Sequence, residues 1–354
     1  QQAWLGALNA GAATARFVVV LLIFEWVGST PAHFFGWQLI VAAVETVLLM
    51  RKTYQLLPPR APGEATVGWH WQPLRGVLGF SLSIAFTSAV WVAVTQTDKL
   101  VLSRLLPLAE YGHFTLAVLA ASGVSIVSGP LSSALLPRLA RLQAQGDEAG
   151  LIRLYRQATQ GMAVIALPVA AVLGFGAERL LQAWTGDAAL AAQAGPILRL
   201  YALGNGVLAM SSFAYYLQFA KGDVRLHLIG NALFVLVLIP SIIAAAMRFG
   251  GEGAGWAWLG SNLAYLLLWV PLVHRRFVPG LHGRWFGVDL LPVGCVCVLF
   301  AGLLIAVLPW GFGRFVVLAE LMTVGGVVLA AAAAASADVR RWLMARIASR
   351  ASAA

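Results

Sequence analysis

The stretch TQTDKLVLSRLLPLAEYGHFTLA, residues 95–117, lies where two apolar runs meet. One run of roughly twenty residues stops at Thr97, four charges follow in a short link (Asp98, Lys99, Arg104 and Glu110), and the next run opens at Tyr111. Charge is scarce elsewhere, since 60% of the chain is apolar and only 11% charged. A soluble domain of this length needs far more polar surface. The stretch therefore reads as a turn at a membrane surface, and the chain as an all-α polytopic membrane bundle.

A helix needs about 20 apolar residues to cross the hydrocarbon core, and about ten runs qualify. They lie near 7–28, 33–51, 76–97, 111–136, 157–178, 195–219, 227–247, 253–273, 288–309 and 314–336. The runs are continuous rather than short and alternating, which excludes an outer-membrane barrel. The net charge of +10 is distributed unevenly. With the ten helices alternating in direction, the basic residues at 51–75, 137–156, 220–226 and 274–287 and after 337 all fall on one side. That bias marks the cytoplasmic face, so the C-terminus is expected in the cytoplasm. No basic cluster is interleaved with exposed aromatics, which argues against nucleic acid.

The chain opens on Gln1 without a basic, apolar leader, so it is expected to carry no signal peptide. It reads as a fragment whose first helix enters from the cytoplasm. Cys295 and Cys297 share one apolar run on different helix faces, which implies neither a disulfide nor a metal site. The interval 51–75, with four prolines, reads as a cytoplasmic linker between two bundles. The interval 137–157 alternates apolar and basic residues at helical spacing, and predicts an amphipathic helix in the headgroup layer with Leu139, Leu142 and Leu151 dipping into lipid.

No outer loop exceeds the 17 residues of 178–194, which leaves no room for the external catalytic domain of a membrane glycosyltransferase or polymerase. No nucleotide-binding or hydrolase motif occurs either, so an enzyme is not expected, nor a cofactor. Pro130, Pro168, Pro240 and Pro271, with nearby glycines, interrupt several spans. Such breaks mark hinges or close packing.

Ionisable groups inside a span need a partner or a wet cavity. Arg16 lies about nine residues from the cytoplasmic end of the first span and Glu45 about six from that of the second, so they share a depth within one helical turn. Arg16 is expected either to pair with Glu45 or, oriented by it, to face a cavity and bind anionic substrate. Glu25 is expected to be solvated, Arg199 to snorkel towards the outer interface, and Glu320 to find a partner in the bundle. The six histidines are scattered and give little support to a metal site or relay.

The opening stretch also resembles a signature of oligosaccharide flippases, the Wzx-type polysaccharide transporters of the MOP (MATE-like) superfamily. In that family an aspartate ends the seventh helix and, after a small apolar segment, a glycine with an aromatic two residues on opens the eighth. Here these positions are Asp98, Gly112 and Phe114, and SALLPRLARL follows. QFAKGDVRLHLIGNALFVLVLIP and GGEGAGWAWLGSNLAYLLLWVPLVHRRF are similar to its later helix pair and its Gly-rich twelfth helix.

The resemblance implies a two-lobe transporter with part of the N-terminal lobe missing. Residues 1–51 would hold the last two helices of that lobe, 52–75 the linker, 76–277 the C-terminal six-helix lobe, 278–337 an extra helix pair and 338–354 a cytoplasmic tail. It further implies alternating access in the bacterial inner membrane, carrying an undecaprenyl-pyrophosphate-linked oligosaccharide for surface polysaccharide synthesis. Arg16, with Glu45, and more weakly Arg199 would bind the substrate. Asp98, Lys99, Arg104 and Gly112 would form a gate or structural turn. A coupling ion, H+ or Na+, membrane lipids and polysaccharide polymerases are the implied partners. Two rival readings stay open, a lipid-linked peptidoglycan precursor flippase and a cation-coupled drug or metabolite antiporter.

Overall fold

The computed structural model describes residues 2–57, 95–311 and 313–341, with Leu78, Leu82, Ala89 and Val92 besides; side chains of Gln2, Ala3, Pro130, Ser132 and Ser133 are not described. Most of the expected 76–97 span, most of the 52–75 linker and the tail beyond 341 lie outside these residues. The chain divides into two compact units, Gln1–Gly76 and Val77–Ala354.

The first unit is a helical hairpin. α1 (Gln2–Thr14) passes through a π-helical turn, Ala15–Val19, into α2 (Val20–Trp26), and α3 (Pro31–Leu56) returns beside it. Thr30 starts α3 by accepting the His33 amide on its hydroxyl, and Pro31 follows at the first helical turn, where a missing N–H costs nothing. Only Val20 and Val41 are buried among the described apolar side chains of this unit. Its remaining apolar faces are open, as lipid-facing helices require.

The second unit is built around α8 (Ala188–Ala220). It packs against α4 (Leu108–Ala121), α5 (Gly123–Ala144), α6 (Glu148–Phe175), α7 (Ala177–Thr185) and α9 (Arg225–Ala264). α10 (Val270–Phe277) and the short α11 (Leu281–Arg284) lead into α12 (Leu291–Val307) and α13 (Arg314–Ala335), and these last two pack on α6. Asp147 and Asp187 cap α6 and α8 with their carboxylates, satisfying amides that the first turn leaves open. Two further π turns, Tyr265–Trp269 and Trp285–Leu290, immediately precede α10 and α12, whose first turns carry Pro271 and Pro292. A proline lacks the N–H and crowds the carbonyl four residues back, so the turn before it widens.

Eight helices among the described residues are long and apolar enough to cross a membrane. One, Arg225–Phe277, contains two of the expected spans. At Gly250 the backbone takes φ 58° and ψ −140°, a conformation open to glycine, and the chain reverses. Phe234 then meets Tyr265 at 5.7 Å between ring centroids. Gly204 serves packing instead, because a Cβ there would overlap the Trp258 ring.

The expected interfacial helix at 137–157 is corrected. α5 runs on to Ala144, a tight turn uses Gly146 at φ 72°, and α6 begins at Glu148. Leu139 and Leu151 are fully buried against Tyr155, Trp285 and their neighbours, and Leu142 packs at the edge of this core. At 1.5 Å per residue the 37-residue run Leu108–Ala144 is about 55 Å long, well beyond the hydrocarbon core of about 30 Å. Its end packs with protein. Leu139→Ala is therefore expected to destabilise the protein by about 2–5 kcal/mol, seen as a clear fall in Tm of the detergent-solubilised protein. A leucine resting on lipid would leave Tm unchanged.

Candidate functional site

In the first unit the π turn at Ala15–Val19 releases backbone carbonyls from the regular ladder. Two side chains of α3 meet them. The Trp37 indole donates to the Ala15 carbonyl at 2.8 Å and the Gln38 amide to that of Arg16 at 3.2 Å. The same arrangement brings Arg16 Nη2 to 2.5 Å from Glu45 Oε2. α3 extends to Leu56 rather than ending near 51, so Glu45 lies about 17 Å from its C-terminal end and Arg16 about 15 Å from Trp26, both near mid-span. The pair is partly open, with side-chain exposures of 34% and 21%. A cavity of about 370 Å³ beside it is lined by small residues of α1 and of the π turn, among them Gly11 and Ala15, and by Trp37 and Glu45.

Arg16 uses one nitrogen on Glu45, and its other two have no partner among the described residues. A guanidinium so placed offers further donors to an anion with two or more oxygens. Glu25 is exposed. Trp37 and Gln38 escaped the sequence reading because neither is ionisable; the π turn that needs them has no proline to announce it.

The opening stretch belongs to the second unit. Asp98 is buried, 4% exposed, and its carboxylate accepts from the Tyr201 hydroxyl at 2.7 Å and from the Lys99 amide at 2.7 Å. Lys99 turns its ammonium to Gln96 at 3.0 Å, Arg104 is exposed, and Gly112 faces open space. Phe114, fully buried, meets Tyr201 edge-on at 5.7 Å, and Tyr201 stacks on Trp258. Asn205 completes the seam. It accepts from the Trp258 indole at 3.0 Å and donates to the Ala121 carbonyl at 2.9 Å, joining α4, α8 and α9.

Arg199, also on α8, does more than snorkel: its Nε donates to the Gly174 carbonyl at 3.2 Å, one of the open carbonyls in the last turn of α6. Glu320 accepts the Gly311 amide on both oxygens at 3.1 Å, fixing the turn before α13.

Two polar clusters were not foreseen. Asp289, fully buried, takes a bidentate pair from Arg156 at 2.6 and 2.8 Å and a third bond from Gln160 at 2.7 Å. Gln160 also binds Asp338 and Ser336, tying α6 to the end of α13. His274 bonds both Tyr155, at 2.8 Å, and His282, at 3.0 Å, so two of the scattered histidines are in fact neighbours. The signal available in sequence was a lone acid, Asp289, opening an otherwise apolar run.

The long apolar helices define a multi-pass membrane protein. The family described as "Polysaccharide biosynthesis protein" matches over residues 36–193. Among solved structures the chain is similar to "Lipid II flippase MurJ, inward closed conformation", with a TM-score of 0.69 and 12% identity over 91% of this chain and 64% of that one. At that identity the likeness concerns the fold alone. The chain spans just under two thirds of the length of the matched structure. Among curated proteins none matches.

Removing the Tyr201 hydroxyl leaves a buried carboxylate oxygen without its donor. Tyr201→Phe is expected to cost about 1–3 kcal/mol, read as a lower Tm, and the double variant with Asp98→Ala is expected to lose less than the two single changes added together.

Proposed function

We propose that this chain is part of a flippase that carries lipid-linked oligosaccharide across the bacterial cytoplasmic membrane by alternating access, for surface polysaccharide synthesis. The observation that carries the reading is the Arg16–Glu45 pair, held at mid-span beside a π turn and a cavity. The family's description as polysaccharide biosynthesis protein supports the oligosaccharide class.

In this reading the pyrophosphate of an undecaprenyl carrier replaces solvent around the two unpartnered nitrogens of Arg16, while the lipid tail stays in the bilayer. Arginine suits the task because its planar fork meets two phosphate oxygens at once. Glu45 supplies the countercharge that keeps the guanidinium tolerable in the membrane when substrate is absent. The helices of α1 to α3 and residues 76–277 then act as two lobes, with the segment between them as linker and 278–337 as an appended pair. The basic bias supports a cytoplasmic C-terminus. Arg199, its Nε engaged by Gly174, holds at most a secondary contact. H+ or Na+ drives the cycle, and the delivered units pass to a polymerase.

The fold shared with a lipid II flippase favours one second reading, a peptidoglycan precursor as substrate. The same pyrophosphate chemistry would serve both, so only the glycan separates them. An antiporter is less well supported, because its deep acid, Glu45, is already paired with an arginine.

Expression from its own locus in a strain lacking an oligosaccharide flippase tests the reading. The wild-type protein is expected to restore surface polysaccharide, and Arg16→Ala to reduce it at least about tenfold, with Arg16→Lys between them. Equal rescue by Arg16→Ala would discard the site. No rescue by wild-type protein that is present in the membrane and supplied with its native sugars would discard the oligosaccharide substrate.

A further inference from the structure

Where α6 begins and the chain leaves α13, the second unit opens a cavity of about 610 Å³, within the roughly 300–1,000 Å³ typical of small-molecule sites. Arg153, Arg156, Gln157 and Arg341 stand in its wall beside Asp338. The cavity shares no residue with the Arg16 site.

Its donors are only partly used. Arg156 commits Nε and Nη2 to the buried Asp289, and Arg341 commits Nη2 to Asp338 and Nε to the Ala337 carbonyl. Each keeps Nη1 without a partner among the described residues. Arg153 and Gln157, one helical turn apart on α6, make no hydrogen bond or ion pair there at all. Three guanidinium groups against the carboxylates of Asp289 and Asp338 leave one positive charge. Arg156, anchored on the buried Asp289, is also held in place before any ligand arrives, which lowers the ordering cost of binding.

We propose that this cavity binds a phosphate ester, carried by an anionic lipid headgroup or by a soluble phosphate. Unused guanidinium donors converging from two helices match phosphate oxygens. The cavity lies near helix ends, and basic pockets at the ends of membrane helices take anionic lipids. Bound there, the phosphate bridges the start of α6 to the segment after α13 and so fastens the terminal helix pair to the bundle.

Thermal unfolding of the whole detergent-purified protein, titrated with short-chain phosphatidylglycerol or with inorganic phosphate, tests this independently of transport. Phosphatidylglycerol is expected to raise Tm. Arg153→Gln, which breaks no bond of the fold, is expected to leave the ligand-free Tm unchanged and to weaken the response about tenfold, the size of one charge-assisted contact. Gln157→Ala should weaken it less. An equal Arg153-dependent response to inorganic phosphate keeps the site and makes a soluble phosphate its ligand. A response indifferent to Arg153→Gln, or none to either probe, overturns the proposal even where complementation succeeds; a failed complementation with an Arg153-dependent response leaves it standing.

Discussion

Inside the hydrocarbon layer a backbone carbonyl released from its helix has no water to turn to, and must find a donor within the protein. Much of this structure follows from that constraint. The π turn at Ala15–Val19 survives because Trp37 and Gln38 reach across from α3, and their reach sets the register that brings Glu45 to Arg16. At the end of α6 the same need is met by Arg199 on the Gly174 carbonyl. At α4 it is met by Asn205 on Ala121. The polar side chains of these spans act chiefly as substitutes for solvent, and the Arg16–Glu45 pair is the place where such a substitute also leaves donors over.

The second unit shows how little charge is needed to fix a membrane bundle when each charge is spent between helices distant in sequence. Asp98 closes onto Tyr201, and Asp289 gathers Arg156 and Gln160. Both acids are nearly or wholly buried, so removing a partner would strand them, whereas the partnered group contributes orientation as much as stability.

Among the described residues most span positions were legible in the sequence, as was the reversal near Gly250, because long apolar runs and glycine-marked turns are local signals. Arg16 and Glu45 could be paired from depth alone. The opening stretch was half legible: the apolar run that stops at Thr97 suggested a helix end at Asp98, whereas the helix runs on to Leu105, and Tyr201, 103 positions away, carries no mark that identifies it as the partner of Asp98. Leu139 and Leu151 were assigned to lipid because an apolar face looks the same whether lipid or protein covers it. His274 and His282 were read as isolated because only the fold of α10 onto α11 brings their rings together. Asp289 was overlooked at the margin of a hydrophobic run, where a carboxylate usually meets water.

The reversal at Gly250 bears on how the protein enters the membrane. Its two arms are joined with almost no intervening loop, so neither can be threaded and released while the other waits; the hairpin has to partition into lipid as one piece. On the sidedness that the basic bias predicts, its tip takes Arg248 and Glu252 across with it. Opposite in sign and close in sequence, they cross as a neutral pair, and the translocation step escapes the penalty that an unbalanced tip would face from the membrane potential.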